Sequence, residues 1–278
     1  MAESADHALA LLTELDGTGR VIAGGTDLML DQRVGNPRVL VDISRLPEWR
    51  SIEHRGDRIR VGALCTHNDL ATSALLQERA VALVRAAAAV GSPQIRMVAT
   101  VGGNVVNALP AADTAIALAA LGATAEVRSA AGTREVDLLS LYAGVGKSTI
   151  DPTREILTGF SFPIPGGSGF KRLARRKALA LPVLNVAAAV WMDDGLACSD
   201  VRISIGPVAP APWRALEAEH VLRGSVLTRE TISRAAHTAM ATAVCRDSIR
   251  ACSLYRQSMV QVLVRRALLQ ALEGGCDE

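Results

Sequence analysis

The chain has 278 residues, 49% of them hydrophobic, 21% charged and only 3% aromatic, and its net charge at pH 7 is +2. That length exceeds one compact core and suits two or three subdomains, while the composition excludes a disordered chain. So small a net charge and so few rings argue against nucleic acid as a partner.

Residues 7–15 have the spacing of a short amphipathic helix, and residues 20–23 read as a short buried strand broken by Gly24-Gly25. Thr26-Asp27 form an N-cap pair for a helix running toward Arg33, and 39–43 is a second strand. Residues 49–53 and 58–64 alternate around Arg55-Gly56-Asp57 as a hairpin. Thr66 and Asn68 open a helix, and the pattern predicts a longer alanine-rich helix over 78–90 that Gly91-Ser92-Pro93 stops. Residues 95–107, with a glycine pair and no sustained period, read as irregular. A helix over about 112–121 follows, then strands at 125–129 and 134–138, and a strand at 155–162 ended by Pro163 and Pro165.

Pro165-Gly166-Gly167-Ser168-Gly169 reads as a linker and divides the chain into units of residues 1–165 and 168–278, the first with subdomains of about 1–55 and 56–165. Beyond it, strands at about 170–176, 183–192 and 199–208, with a turn at Asp193-Asp194-Gly195, precede helices at about 214–222, 228–242 and 250–272. Strands followed by helices argue for an α+β second unit. The apolar run 111–125 is interrupted by Asp113 and is too short for a bilayer, so no membrane span is expected. The N-terminal segment has no leader-like apolar core, and a cytoplasmic chain is expected.

Five scattered cysteines (Cys65, Cys198, Cys245, Cys252, Cys276) fit reduced thiols and offer no iron–sulfur or zinc cage. The histidines (His7, His54, His67, His220, His237) stand in no metal-ligand spacing and read as structural or surface residues.

Two segments carry the chemistry. Gly24-Gly25-Thr26-Asp27, between a strand and a helix, lets the backbone turn sharply and offers N–H groups to an anion such as phosphate. A plain tight turn capped by Asp27 explains that loop equally well by itself. The second segment, Thr100-Val101-Gly102-Gly103-Asn104, adds another glycine pair with hydroxyl and amide groups around it, Asn107 nearby and Asp113 further on. Together they supply what a dinucleotide needs: donors for a diphosphate and an acceptor for ribose hydroxyls. Neither is the Gly-x-Gly-x-x-Gly fingerprint.

Gly144-Val145-Gly146-Lys147-Ser148-Thr149 looks like the end of a phosphate-binding P-loop, but the glycine required five positions before Gly146 is Leu141. Lys147 therefore reads as a surface or partner-facing charge. The basic run Lys171, Arg172, Arg175, Arg176, Lys177 reads as a solvated face or a contact with cofactor or subunit.

Taken together, these motifs resemble the FAD-binding (medium) subunit of the molybdenum hydroxylases, the family that includes xanthine dehydrogenases and carbon monoxide dehydrogenase. Residues 23–28 look like its first flavin loop, and 93–104 with Pro110-Ala111-Ala112-Asp113 look like its second. The likeness runs in order through Glu155-Ile156-Leu157, Phe170-Lys171 and Glu219 to Gly224, ending in Asp247 to Arg256.

The resemblance implies an α+β fold: an FAD-binding unit of two α/β subdomains, of the vanillyl-alcohol-oxidase type, then a three-stranded antiparallel sheet with a three-helix bundle. Ala23, Gly24, Gly25, Thr26, Asp27 and Leu28 would line the diphosphate side of FAD, with Arg20 and Ile22 also at the cofactor. Thr100, Gly102, Gly103, Asn104 and Asn107 would complete that cradle. Asp113 would take the ribose or adenine end, Leu157 would lend backbone contacts, and Lys171 would stand near the flavin ring.

Thr26-Asp27 departs from the His-Ser of carbon-monoxide-type subunits. Val90 stands where some relatives place an aromatic near the flavin. The implied partners are a large molybdopterin subunit and a small subunit with two [2Fe–2S] clusters, in a dimer of heterotrimers, with an external electron acceptor such as NAD. Two other readings stay open at this point: a stand-alone FAD-dependent oxidoreductase, and a nucleotide-binding regulatory module built on Gly144 to Thr149.

Overall fold

The computed structural model describes residues 1–30, 39–176, 178–193 and 197–273. Helix α1 (Ala5–Glu14) starts where the Ser4 hydroxyl accepts the His7 N–H, and it buries Ala5, Ala8, Leu9 and Leu12, one stripe at helical spacing. That stripe packs on Val41, Ile43, Leu46 and Trp49, beside a parallel pair of strands, β1 (Gly19–Ile22) and β2 (Val39–Asp42). The helix expected toward Arg33 runs into residues outside those described.

Next come β3 (Ile52–Arg55) and β4 (Arg58–Gly62), the expected hairpin. Helix α2 (His67–Thr72) is closed at its start by a capping box between Thr66 and Asp69. The single helix predicted over 78–90 is instead two, α3 (Ala74–Arg79) and α4 (Val81–Ala88), broken at the buried Ala80 (φ −147, ψ 55). The break is tertiary in origin: the Ala82 N–H in the first turn of α4 donates to the Ser168 hydroxyl, 86 residues away.

Residues 95–107 also differ from expectation: they take in the end of α5 (Pro93–Arg96), capped by Ser92, and all of α6 (Val101–Val106), capped by Thr100. Then follow α7 (Asp113–Ala120), β5 (Thr124–Ser129), β6 (Gly132–Asp137), a small hairpin of β7 (Tyr142–Gly144) and β8 (Lys147–Ser148), and β9 (Glu155–Pro163). The sheet formed has the order β3-β4-β9-β5-β6 and is antiparallel throughout. Its inner face and the fully buried α7 share one core.

The stretch read as a linker is largely strand: β10 spans Gly167–Leu173. Its glycines let a helix approach, because a Cβ on Gly167 would lie 1.9 Å from the Ala271 carbonyl oxygen and one on Gly169 2.2 Å from that of Ala267. β11 (Leu184–Met192), β12 (Cys198–Gly206) and the two-residue β13 (Trp213–Arg214) complete an antiparallel sheet, β10-β11-β12-β13, one short strand more than the three expected. Residues 194 and 195 of the expected turn lie outside the described residues.

Helices α8 (Leu216–Leu222), α9 (Arg229–Thr242) and α10 (Ser253–Leu272) cover this sheet. Ala187 and Ala189 of β11 enter the core shared with α7, while Val186, Ala188 and Val190 enter the core under the bundle. A strand buried on both faces shows as one unbroken apolar run. Among the described residues no helix is long and apolar enough to cross a membrane.

Candidate functional site

A cavity of about 990 Å³ opens where the turn after β1, the α6 segment, the β7–β8 hairpin, the start of β9 and the chain after β10 meet. This is the upper end of the range for small-molecule sites. Of the residues expected at a cofactor, Arg20, Ile22, Ala23, Gly24, Gly25, Thr26, Asp27, Leu28, Thr100, Gly102, Gly103, Asn104, Asn107, Asp113 and Leu157 line it. Lys171 does not; its neighbour Arg172 does, as the alternation of side chains along β10 requires.

The two glycines of the first loop serve different ends. A Cβ on Gly24 would sit 2.1 Å from the Val98 carbonyl oxygen, so backbone meets backbone there. Gly25 has φ +67, a left-handed conformation that favours glycine. The N–H groups of Gly24, Gly25 and Thr26 make no hydrogen bond to another described residue. Three neighbouring donors on one turn form an anion-binding concavity.

The second glycine pair works differently from expectation. It lies in the first turn of α6, and its donors are engaged: Gly102 N–H to the Ala63 carbonyl (2.9 Å), Gly103 N–H to the Thr100 hydroxyl (3.1 Å), Asn104 N–H to the Thr100 carbonyl (3.0 Å). What α6 offers the cavity is the backbone of Gly102 and Gly103 beside Thr100, Asn104, Val106 and Asn107. Asn104 is itself held, its Oδ1 accepting the Thr114 hydroxyl at 2.6 Å.

Asp113 is 5% exposed, and its carboxylate is engaged by protein groups. Arg172 Nε donates to both oxygens at 3.2 Å and Asn185 Nδ2 to Oδ1 at 2.7 Å. Burial pushes the carboxyl up to about 6, against the opposing pull of Arg172 and Asn185. Asp113 is therefore the anchor of Arg172 in the cavity wall.

Two lining groups were not expected from the sequence. Val145, Gly146, Lys147 and Ser148 bring the incomplete P-loop look-alike to the cavity as a hairpin tip, tied down by the Gly146 N–H donating to the Ala108 carbonyl at 2.9 Å. His67, buried at 1% exposure, also lines it, and neither ring nitrogen bonds another described residue. Burial, with Arg96 adding, lowers its pKa to about 4, so the ring is neutral. The glycines at 144 and 146 were a usable signal for the hairpin; nothing in the sequence singled out His67 among five histidines.

The residues present fit a dinucleotide: a cavity of about 990 Å³, backbone segments that glycine lets approach closely, and, among the described residues, unpaired N–H donors at one turn. No cluster suited to a metal ion occurs among the described residues.

Comparison with known proteins agrees. Residues 1–165 match the family described as FAD binding domain in molybdopterin dehydrogenase, and residues 169–271 match the CO dehydrogenase flavoprotein C-terminal domain. The nicotinate dehydrogenase FAD-subunit of Eubacterium barkeri is 33% identical, covering 93% of this chain and 90% of its own. The xanthine dehydrogenase FAD-binding subunit of Escherichia coli O157:H7 is 31% identical, covering 91% and 88%. A solved structure of carbon monoxide dehydrogenase from Hydrogenophaga pseudoflava superimposes with a TM-score of 0.88 at 29% identity, covering 98% of this chain and 96% of that one. The chain thus belongs to the FAD-binding, or medium, subunits of the molybdenum hydroxylases, an oxidoreductase family with FAD as its cofactor.

Proposed function

We propose that this chain relays electrons in a molybdenum hydroxylase complex, taking them from the [2Fe–2S] clusters of a small partner subunit and releasing them to an external acceptor such as NAD. A large molybdopterin subunit would oxidise the substrate, and the assembly would be a cytoplasmic dimer of heterotrimers. The observation that carries the reading is the cavity joining the Gly24-Gly25 turn to α6 across one wall. FAD, when bound, supplies chemistry that accepts and releases electrons singly or in pairs.

The chain's own residues bind and orient. The N–H groups of Gly24, Gly25 and Thr26 would donate to the diphosphate; Thr100, Gly102, Gly103, Asn104 and Asn107 would form the other side of the cradle. Leu157 packs behind it, and Asp113 holds Arg172. Residues 1–165 would hold the cofactor and 168–278 would close the cavity with Arg172, Ala180 and Leu181. The lining carboxylates among the described residues, Asp27, Asp113 and Glu155, are all engaged, Asp113 by Arg172 and Glu155 by Arg134, which leaves among those residues no free acid–base pair of the kind a self-contained oxidase needs.

Purification of the chain alone and with its co-expressed neighbours tests this. A yellow protein that turns over no substrate alone, and whose flavin is bleached only when a reduced iron–sulfur subunit is added, is the expected result. Turnover by the isolated chain would favour a stand-alone oxidoreductase, and a colourless chain that binds ATP would overturn the reading.

A further inference from the structure

The Gly146-Lys147-Ser148 tip has no role in the reading above, yet it lies on the cavity. Among the described residues three cationic ones line that cavity. Arg172 is committed to Asp113, Arg20 is already engaged, and the Lys147 side chain makes no ion pair or hydrogen bond with another described residue.

The tip is also fixed in place. Gly146 adopts φ +66, which favours glycine, and its N–H donates to the carbonyl of Ala108, the residue after Asn107. From the hairpin's far side, the Thr149 N–H donates to the Leu141 carbonyl at 3.0 Å and its hydroxyl to the Ser140 carbonyl at 3.1 Å. An exposed lysine on a tethered hairpin, at the rim of a cavity fitted to a dianionic cofactor, has an electrostatic reason to be there.

We propose that Lys147 binds the diphosphate of the dinucleotide and, with the hairpin tip, makes the cavity select FAD over flavins that lack the ADP half. An ammonium is a compact point charge suited to phosphate oxygens. Riboflavin carries no charge for it to meet, so the interaction acts on one half of the cofactor alone. The partial likeness to a P-loop then has a physical basis: glycines place a lysine against phosphate in both, from a hairpin here and from a strand–helix loop there.

The inference rests on the assignment of the cavity to FAD. Full-length apoprotein is titrated with FAD, ADP and riboflavin, for the unaltered chain, Lys147→Met and Lys147→Arg. The expected result is that Lys147→Met weakens FAD and ADP by about tenfold each and leaves riboflavin unchanged, while Lys147→Arg stays within about threefold of the unaltered chain. Raising the salt from about 0.05 to 0.5 M should shrink the gap between the unaltered chain and Lys147→Met. Equal FAD affinity in all three proteins, or a parallel fall for riboflavin, would overturn the proposal. An unaltered chain that binds no FAD would overturn the cavity assignment and this inference with it.

Discussion

A Cβ placed on Gly24 falls 2.1 Å from the carbonyl oxygen of Val98. The turn after β1 is thus pressed on the backbone that leads into α6, and the cradle exists only because no side chain separates the two segments.

Gly24→Ala must push these segments apart, since neither neighbour is a side-chain end that can swing away. Overpacking of this kind costs about 1–3 kcal/mol, and here the displacement falls on the cavity wall. FAD affinity should drop by more than about tenfold, and thermal unfolding of the apoprotein should come several degrees earlier. A titration giving unchanged FAD affinity would show that the close approach is not needed for the cradle.

The Asp113–Arg172 pair gives the site a pH dependence. The carboxyl titrates near 6 in the folded chain and near 3.8 when unfolded. The folded chain therefore takes up a proton first as pH falls, so this group's contribution is full below about 4 and is lost as pH rises through 6. Protonation also leaves Arg172 without its counter-charge and makes the wall more positive. FAD should bind more tightly as pH falls from 7 to 5, and Asp113→Asn should flatten that slope. A slope as steep in Asp113→Asn as in the unaltered chain would assign the effect to another group.

Glu219 offers a contrast far from the cavity. Fully buried, it accepts from Arg214 Nε and Nη2 at 2.6 Å each, from Arg223 Nη2 at 3.2 Å, and from the Ile203 N–H at 2.9 Å. Glu219→Ala leaves Arg214 and the Ile203 N–H without their acceptor, while Arg223 keeps Asp200 and the Val201 carbonyl, a loss on the order of 3–5 kcal/mol. Denaturant unfolding should register that loss, while FAD affinity of the folded fraction stays unchanged because Glu219 does not line the cavity.

What could be read from the sequence follows from where each signal originates. Helix α9, opened by a Thr228 capping box, and strands such as β5 announce themselves through local pattern. The break at Ala80 does not, since alanine is the best helix former and the cause, Ser168, is distant in sequence. Helix α6 was hidden because Gly102-Gly103 argues against a helix; Ala63 packs at 2.7 Å on the position where a Gly102 Cβ would be, so the glycine answers to packing.

In the site, both glycine pairs were legible because close approach demands that residue type. Which face of β10 lines the cavity was not: Arg172 lines it and Lys171 does not, and a strand shifted by one residue in register exchanges its faces. Likewise the hairpin at Lys147 was set aside for lacking a P-loop's first glycine, a test that applies only to strand–helix loops.

His67 gives the last prediction. Burial holds its pKa in the folded chain at about 4, below the ordinary imidazole value of 6.5, so the folded chain resists the proton that the unfolded chain accepts. The stability involved is fully present above about 6.5 and is lost as pH falls toward 4, on the order of 3 kcal/mol over that window. His67→Gln cannot charge, so its stability should fall less steeply between pH 6.5 and 4, and the two curves should converge at neutral pH apart from a constant offset. Because neither ring nitrogen bonds another described residue and the residue lines the cavity, FAD should also report the change: His67→Phe should weaken FAD by about tenfold, with His67→Gln retaining most of the affinity through its amide. If His67→Phe binds FAD as tightly as the unaltered chain, the imidazole is packing alone, and its unpaired nitrogens are not directed at the cofactor.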